Sequence, residues 1–328
     1  MTFNFSILNS YRNQGLKAFT TFAKPQKALA FTDFKIIHRV IALHEAGKNA
    51  VYVTEHQPSG KTYFLKDISD SEKYHAPYRI AIESGRPIDG IYPDEHEQKY
   101  LVEKEVFGTR LMNLFLGDNH TPRSIYPVIK NENNKISYLV ASESVGKFSS
   151  LIENDFYVKD GVTMIKIDNR EYTTEGRLRI KLAQDALSEG DGNAQNMGVV
   201  IRNDAMHLFV VTIDHEHLFE RPIDSAEIEL HNLINANVFT PFGKKMDLHN
   251  KFIHRRGLIR LQTIGHFAHL LNDGQAIRKI FQNTFSHDHP PIFKKKIQGI
   301  VTLLETKRSI YTKAAEILAQ KQTPSIKP

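Results

Sequence analysis

Asp191 and Asn196 stand five residues apart on a short polar loop, and Asp214 ends the apolar run that follows, within GDGNAQNMGVVIRNDAMHLFVVTID from Gly190 to Asp214. The loop feeds one apolar segment, Met197 to Ile201, then a turn at Arg202, Asn203 and Asp204, then a second apolar segment, Leu208 to Ile213. Read as a β-hairpin, this order brings a loop Asp, a loop Asn and a strand-end Asp to one edge. The set suits phosphoryl transfer. One carboxylate orients an attacking hydroxyl, while an amide and a second carboxylate are hard oxygen ligands for Mg²⁺. A polar hairpin with solvated carboxylates is the plainer reading of the same residues, because Asp-Gly-Asn runs are common turns.

Other elements must position that edge. Ala50 to Val53 reads as a strand, Gln57-Pro58-Ser59-Gly60 as a turn, and Thr62 to Leu65 as the return strand, with Lys66 presented at its end. Before the hairpin, Glu45-Ala46-Gly47-Lys48-Asn49 contains one glycine, Gly47, whose backbone suits a phosphate or simply a turn. Asp94 to Leu116 reads as a long amphipathic helix with an acidic first turn and Gly117 as its stop. Ile125–Ile129 and Ile136–Ala141 bracket a strong turn signal, Lys130 to Lys135. Asp155 to Thr174 reads as polar and irregular, and Glu175 to Ser188 as a helix with Leu178, Ile180, Leu182 and Leu187 inward. Two further helices are expected, His249–Leu271 and a final one from Lys294 to about Gln320, with a disordered tail from Thr323.

At GDxxxxN followed by a strand ending in Ile-Asp, the chain resembles the protein-kinase-like superfamily. The phosphatidylinositol 3- and 4-kinases and other atypical kinases share the Gly-Asp opening. Asp214 begins Asp-His-Glu (His215, Glu216) where the family has Asp-Phe-Gly. The resemblance implies an α+β, bilobal fold: a small antiparallel β-sheet lobe with one regulatory helix, and a mainly helical large lobe. It divides the chain into a lead-in (1–32), a small lobe (33–143), a large lobe (144–322) and a tail (323–328). It implies ATP and Mg²⁺ or Mn²⁺ as cofactors. Lys66 would hold the α- and β-phosphates, and Glu105 would pair with Lys66, with Glu103 and Glu97 as rivals. Asp191 would act on the acceptor hydroxyl, and Asn196 and Asp214 would hold the metal. The stretch Ser142 to Gly146 would be the hinge, with Glu143 and Ser144 offering backbone bonds to adenine. The expected activity is γ-phosphate transfer to a hydroxyl, first a protein Ser/Thr. The alternatives are a phosphoinositide or small polyol kinase, a nucleotide-binding pseudokinase, or an AMP-transferase of the same fold.

Composition bounds these readings. The chain has 328 residues, 41% of them apolar, enough for two modest lobes or one large domain. No run approaches the roughly 20 apolar residues of a membrane-spanning helix, and no signal peptide is evident, so a soluble protein is expected. Zero cysteines exclude disulfides, thiol catalysis and cysteine zinc sites. His287-Asp288-His289 and His215 with His217 lack a third ligand at a fixed spacing. The net charge of +6 hints at an anionic partner. Lys251 with Arg255, Arg256 with Arg260, and the run Lys294, Lys295 and Lys296 place like charges on adjoining turns. Converging, they would bind a highly phosphorylated anion. Apart, they are solvated charges. The chain is also similar to secreted effector kinases of intracellular bacteria such as Legionella, one of which requires inositol hexakisphosphate. That likeness implies inositol hexakisphosphate as activator and a host protein as substrate. No nucleic-acid partner is expected.

Overall fold

Alternating apolar residues and strong turn signals build the first half of the chain into a sheet. The computed structural model describes residues 27–40, 49–71, 81, 84, 93–117, 119–146, 148–150, 156–159, 162–167, 169–190, 196–200, 207–235, 237–239, 245–247 and 253–322. The first six strands are β1 (Leu29–Ala30), β2 (Phe34–Val40), β3 (Asn49–His56), β4 (Lys61–Ser71), β5 (Ile125–Glu132) and β6 (Lys135–Glu143). Their order is β1-β5-β6-β4-β3-β2, antiparallel except where β1 runs parallel to β5. Leu29 and Ala30, inside the stretch read as a lead-in, pair with Val128 and Ile129 in this sheet. Asn133 and Asn134, with φ of 51° and 62°, make the left-handed two-residue turn that joins β5 to β6 and matches the strand twist. Lys66 lies in mid-strand and not at a strand end, because the inward residues continue past Leu65 to Ile68 and β4 runs on to Ser71.

Helix α1 (Glu95–Leu116) follows, capped by the Asp94 carboxylate, which accepts from the Glu97 N–H at 2.7 Å. Gly117, at φ 82°, ends it and donates to the Asn113 carbonyl at 2.7 Å. Val102 and Val106 pack with Ile68, Ile125 and Val140 of the first sheet. Phe107, Leu111, Phe115 and Leu116 enter the larger core. The helix is thus apolar on two sides, and each fully buried Phe or Leu contributes about 1.5–3 kcal/mol.

The stretch expected to be irregular after Asp155 is instead three strands. These are β8 (Phe156–Lys159), β9 (Val162–Ile167) and β10 (Arg170–Glu175). With β7 (Phe148–Ser150), β11 (Met197–Val200) and β12 (His207–Thr212) they form a second sheet, ordered β7-β11-β12-β10-β9-β8. Lys and Thr in the sequence of these strands dilute their apolar alternation, which is why they read as loop. A two-stranded ribbon, β13 (Asn237–Phe239) with β14 (Lys245–Asp247), completes the strands described.

Among the described residues, five more helices follow α1: α2 (Arg177–Ala186), α3 (Ala226–Ile234), α4 (Ile253–Asn272), α5 (Gly274–Gln282) and α6 (Pro291–Gln322). Ile180, Leu182 and Leu187 are fully buried against the inner face of β11 and β12, where Met197, Val199, Leu208 and Val210 sit. Among the described residues, no helix is long and apolar enough to cross a membrane. The tail from 323 lies outside the described residues.

Candidate active site

Lys66 reaches from β4 into a ring of carboxylates drawn from two other elements. Its Nζ lies 2.8 Å from Glu105 Oε2 on α1, 2.6 Å from Asp214 Oδ1 and 3.1 Å from Glu216 Oε2. Two of the N–H donors of the ammonium go to Asp214 and Glu216, and Glu105 faces it as an ion pair. Burial alone would lower the Lys66 pKa, but Asp214, Glu105 and Glu216 outweigh it and hold the amine well above its ordinary value. Burial pushes Glu105 up to about 7, with Asp214 and Glu216 adding repulsion against the pull of Lys66. Lys66 and Glu105 are sealed, at 11% and 4% side-chain exposure, while Asp214 is 37% exposed. One positive charge faces three carboxylates, and the surplus opens to solvent. Carboxylate oxygens of Glu105, Asp214 and Glu216 lie within 4.8 Å of one another, close enough to share a cation.

The backbone explains how Asp214 arrives there. β11 pairs with β12 through Met197 and Thr212, and the Ile213 N–H donates to the Asn196 carbonyl at 2.9 Å. Asn196 and Asp214 therefore end adjacent strands. Asp214 sits at φ 57°, which turns the chain sharply as it leaves the sheet. The following segment is zipped to the end of α2. Gly190 N–H donates to His217 O (2.8 Å), Phe219 N–H to Leu187 O (2.9 Å) and Arg221 N–H to Ser188 O (3.0 Å). A Cβ on Gly190 would come within 2.9 Å of Glu220 Cβ and 3.3 Å of the His217 carbonyl, so this approach requires glycine. Asp191 lies outside the described residues. Gly47 also lies outside them.

Glu103 takes a different direction from Glu105. It accepts from Ser286 Oγ (2.6 Å), Ser286 N–H (3.1 Å) and His289 Nε2 (2.6 Å), tying α1 to the turn between α5 and α6. Glu97 stays in the first turn of α1, its amide on the Asp94 cap.

Glu143 and Ser144 line a cavity of about 260 Å³ with Thr121, Gly146, Phe209 and Val211, an opening that Lys66 and Asp214 do not line. Their amides are engaged: Glu143 N–H donates to Ser124 O (2.8 Å) and Ser144 N–H to Thr62 O (2.9 Å). Gly146 N–H donates to Ser144 Oγ at 3.2 Å, leaving Val145 as the connector residue whose amide enters none of these bonds. The Glu143 carboxylate pairs with Lys61 at 3.0 Å.

The basic set does not gather into one pocket among the described residues. Arg260 on α4 is half-buried beside Tyr311, and burial lowers its guanidinium to about 10. Lys294, Lys295 and Lys296 are exposed in the first turns of α6. Lys296 rests over the rings of Phe293 (5.1 Å) and Tyr100 (5.5 Å). Tyr311 is at least 15 residues farther along that helix, about 22 Å at the helical rise. The side chains of Lys251, Arg255 and Arg256 lie outside what is described.

Glu216 and His217 stand in the sequence reading without a role toward Lys66, and Glu220 and Lys104 do not stand in it at all. Glu216 holds Lys66, and His217 bridges Glu216 (Nε2, 3.2 Å) and Glu220 (Nδ1, 2.7 Å). Glu220 pairs in turn with Lys104, the neighbour of Glu105 on α1. Hydrogen bonds to Glu216 and Glu220 raise the His217 pKa to about 10. Lys66 draws Glu216 well below the usual carboxylate range. His215 is buried and held neutral, pushed down to about 3 by burial and by Lys66. The available signal was the Glu at the third position of Asp-His-Glu, where a glycine hinge was looked for.

No family model matches the chain, and no curated protein matches it. Among solved structures it is similar to one described as the crystal structure of a Helicobacter pylori proinflammatory kinase CtkA. That likeness has 14% identity and a TM-score of 0.49, over 90% of this chain and 99% of the other.

Proposed function

We propose that this chain is an ATP-dependent atypical kinase of bilobal protein-kinase-like architecture that transfers the γ-phosphate to a hydroxyl. What carries the reading is Lys66, a strand lysine gripped by a buried helix carboxylate, Glu105, and a strand-end carboxylate, Asp214, at 2.8 and 2.6 Å. Such a lysine is a positioned point charge for phosphate oxygens. Glu105 orients it. Asn196 and Asp214 fit a divalent metal: both end adjacent strands, both offer hard oxygens, and Asp214 belongs to a cluster with more negative than positive charge. Bound there, Mg²⁺ or Mn²⁺ would neutralise charge on the β- and γ-phosphate oxygens. Asp191, which follows Gly190 in the sequence, is the residue assigned to the acceptor hydroxyl.

The acceptor of first choice is a protein serine or threonine, with a phosphoinositide or small polyol second. Inositol hexakisphosphate, as activator, would need the basic residues of α4 to act without Lys294–Lys296. Incubation with γ-labelled and α-labelled ATP tests the reading. Label transferred from the γ position, and lost in Asp214→Ala, is the expected result. Transfer from the α position makes the chain an AMP-transferase, and no transfer makes it a binding module.

A further inference from the structure

We infer that Glu216, His217, Glu220 and Lys104 complete a ring of ion pairs that fastens α1 to the chain after Asp214 and fixes the direction of Lys66. The inference rests on the phosphoryl-transfer reading and names positioning residues for it. Around the ring the charges alternate: Glu105, Lys66, Glu216, His217, Glu220 and Lys104, which returns along the helix backbone to Glu105. Both nitrogens of His217 face carboxylates, so the geometry suits an imidazolium with two donors. Three cations then balance three anions. Asp214 stands outside that balance as the unmatched charge, on the one side chain of the Lys66 cluster that is more than a third exposed.

The arrangement solves a definite problem. A lysine side chain has considerable rotamer freedom, and an amine held by one carboxylate swings about it. Here Glu216 accepts one of its N–H donors and Glu105 faces it as an ion pair, from opposite elements. The donor now on Asp214 at 2.6 Å is the one available to a phosphate once Asp214 turns to a cation. Glycine in place of Glu216 would leave the lysine with one holder and the segment with a hinge. Instead the segment is pinned twice: through His217 and Glu220 to α1, and through its backbone to Leu187, Ser188 and Gly190.

The test uses the full chain and Glu216→Gln, Glu216→Asp, Glu220→Gln, Lys104→Met and the Lys104→Met/Glu220→Gln double variant. γ-Phosphate transfer and the His217 ring titration by NMR are both followed. A misdirected lysine lowers kcat, so Glu216→Gln should lose about tenfold in kcat with KM for ATP within about twofold, and Glu216→Asp should recover part of that loss. Lys104→Met and Glu220→Gln cut the same link, so each should cost about three- to fivefold and the double variant no more than either. Glu216→Gln and Glu220→Gln should each lower the His217 titration. A rise in kcat for Glu216→Gln would mean that Glu216 restrains the lysine, and it overturns the inference. So do multiplicative losses in the double variant, or an unmoved His217 titration. Wild-type protein without γ-transfer overturns the functional reading and the lysine's role with it. Active wild-type protein with unaffected variants overturns the ring alone.

Discussion

Two buried lysines, Lys66 and Lys307, meet carboxylates in opposite ways. Lys307 lies at 0% exposure on α6, paired with Glu229 and 3.6 Å from Asp185. Arg221 meets the same two carboxylates at 2.6 and 3.3 Å, and the Tyr311 hydroxyl donates to Asp185 (3.0 Å) and the Leu182 carbonyl (2.8 Å). Two cations therefore answer two anions in a sealed knot that joins α2, α3, α6 and the 215–221 segment. Around Lys66 the charges do not balance, and Asp214 and Glu216 reach solvent. Buried charges that cancel are fastenings; charges left uncancelled at an opening have something still to bind.

Removing the uncancelled charge should have the largest effect. Asp214→Ala is expected to lower kcat by the order of 10³-fold or more, since the lost carboxylate would hold the metal that neutralises transition-state charge. Its melting temperature should stay close to wild type, and a large drop there with little change in turnover would invert the comparison. Lys307→Met is the mirror experiment. It leaves two sealed carboxylates to Arg221 alone and should cost about 3–5 kcal/mol of stability, read by denaturant unfolding. Protein that remains folded should retain its γ-transfer rate.

A finer contrast lies within α1. Residues two apart on a helix differ by about 200° in azimuth, so Glu103 and Glu105 serve different neighbours. Glu105→Gln should reduce kcat by roughly ten- to a hundredfold with little loss of stability. Glu103→Gln weakens the bonds to Ser286 and His289 and should cost about 1–3 kcal/mol while changing kcat little. Equal kinetic losses from the two variants would merge the roles that the geometry separates.

Local signals made part of this legible from sequence. Turn residues marked the β5–β6 hairpin and the turn before β4, and an acidic cap and a stop glycine bounded α1 within a residue. β8 to β10 were lost because Lys, Thr and Glu in their sequence interrupt the apolar alternation. Lys307 was passed over inside a basic helix, although it stands on the stripe Ile300, Leu304, Lys307, Tyr311 and Ala314, spaced as a buried seam. A lysine on that stripe needs buried partners, and that requirement was readable. The ring through Glu216, His217, Glu220 and Lys104 was not, since its closing pair, Lys104 with Glu220, spans 116 residues and depends on how α1 lies against the segment after Asp214.

The smallest effect expected is in the pH dependence of stability, and it isolates His217. Its folded pKa, about 10, is raised above the ordinary 6.5 by its bonds to Glu216 and Glu220. A base whose folded pKa is raised gives stability that is fully present below the unfolded value and lost as pH rises through the folded one. Wild-type protein should therefore lose stability as pH climbs from about 7.5 to 9.5, while His217→Gln stays flat by comparison. Glu105 titrates below that window, near 7, and the guanidiniums of Arg110 and Arg260, lowered by burial to about 10, lie above it. His217 is about one-third exposed, so solvent screening limits the difference to about 1 kcal/mol. Denaturant unfolding of both proteins across the window measures it. Parallel curves would mean that His217 is not held as an imidazolium, and the alternation of charge around Lys66 would be broken at that point.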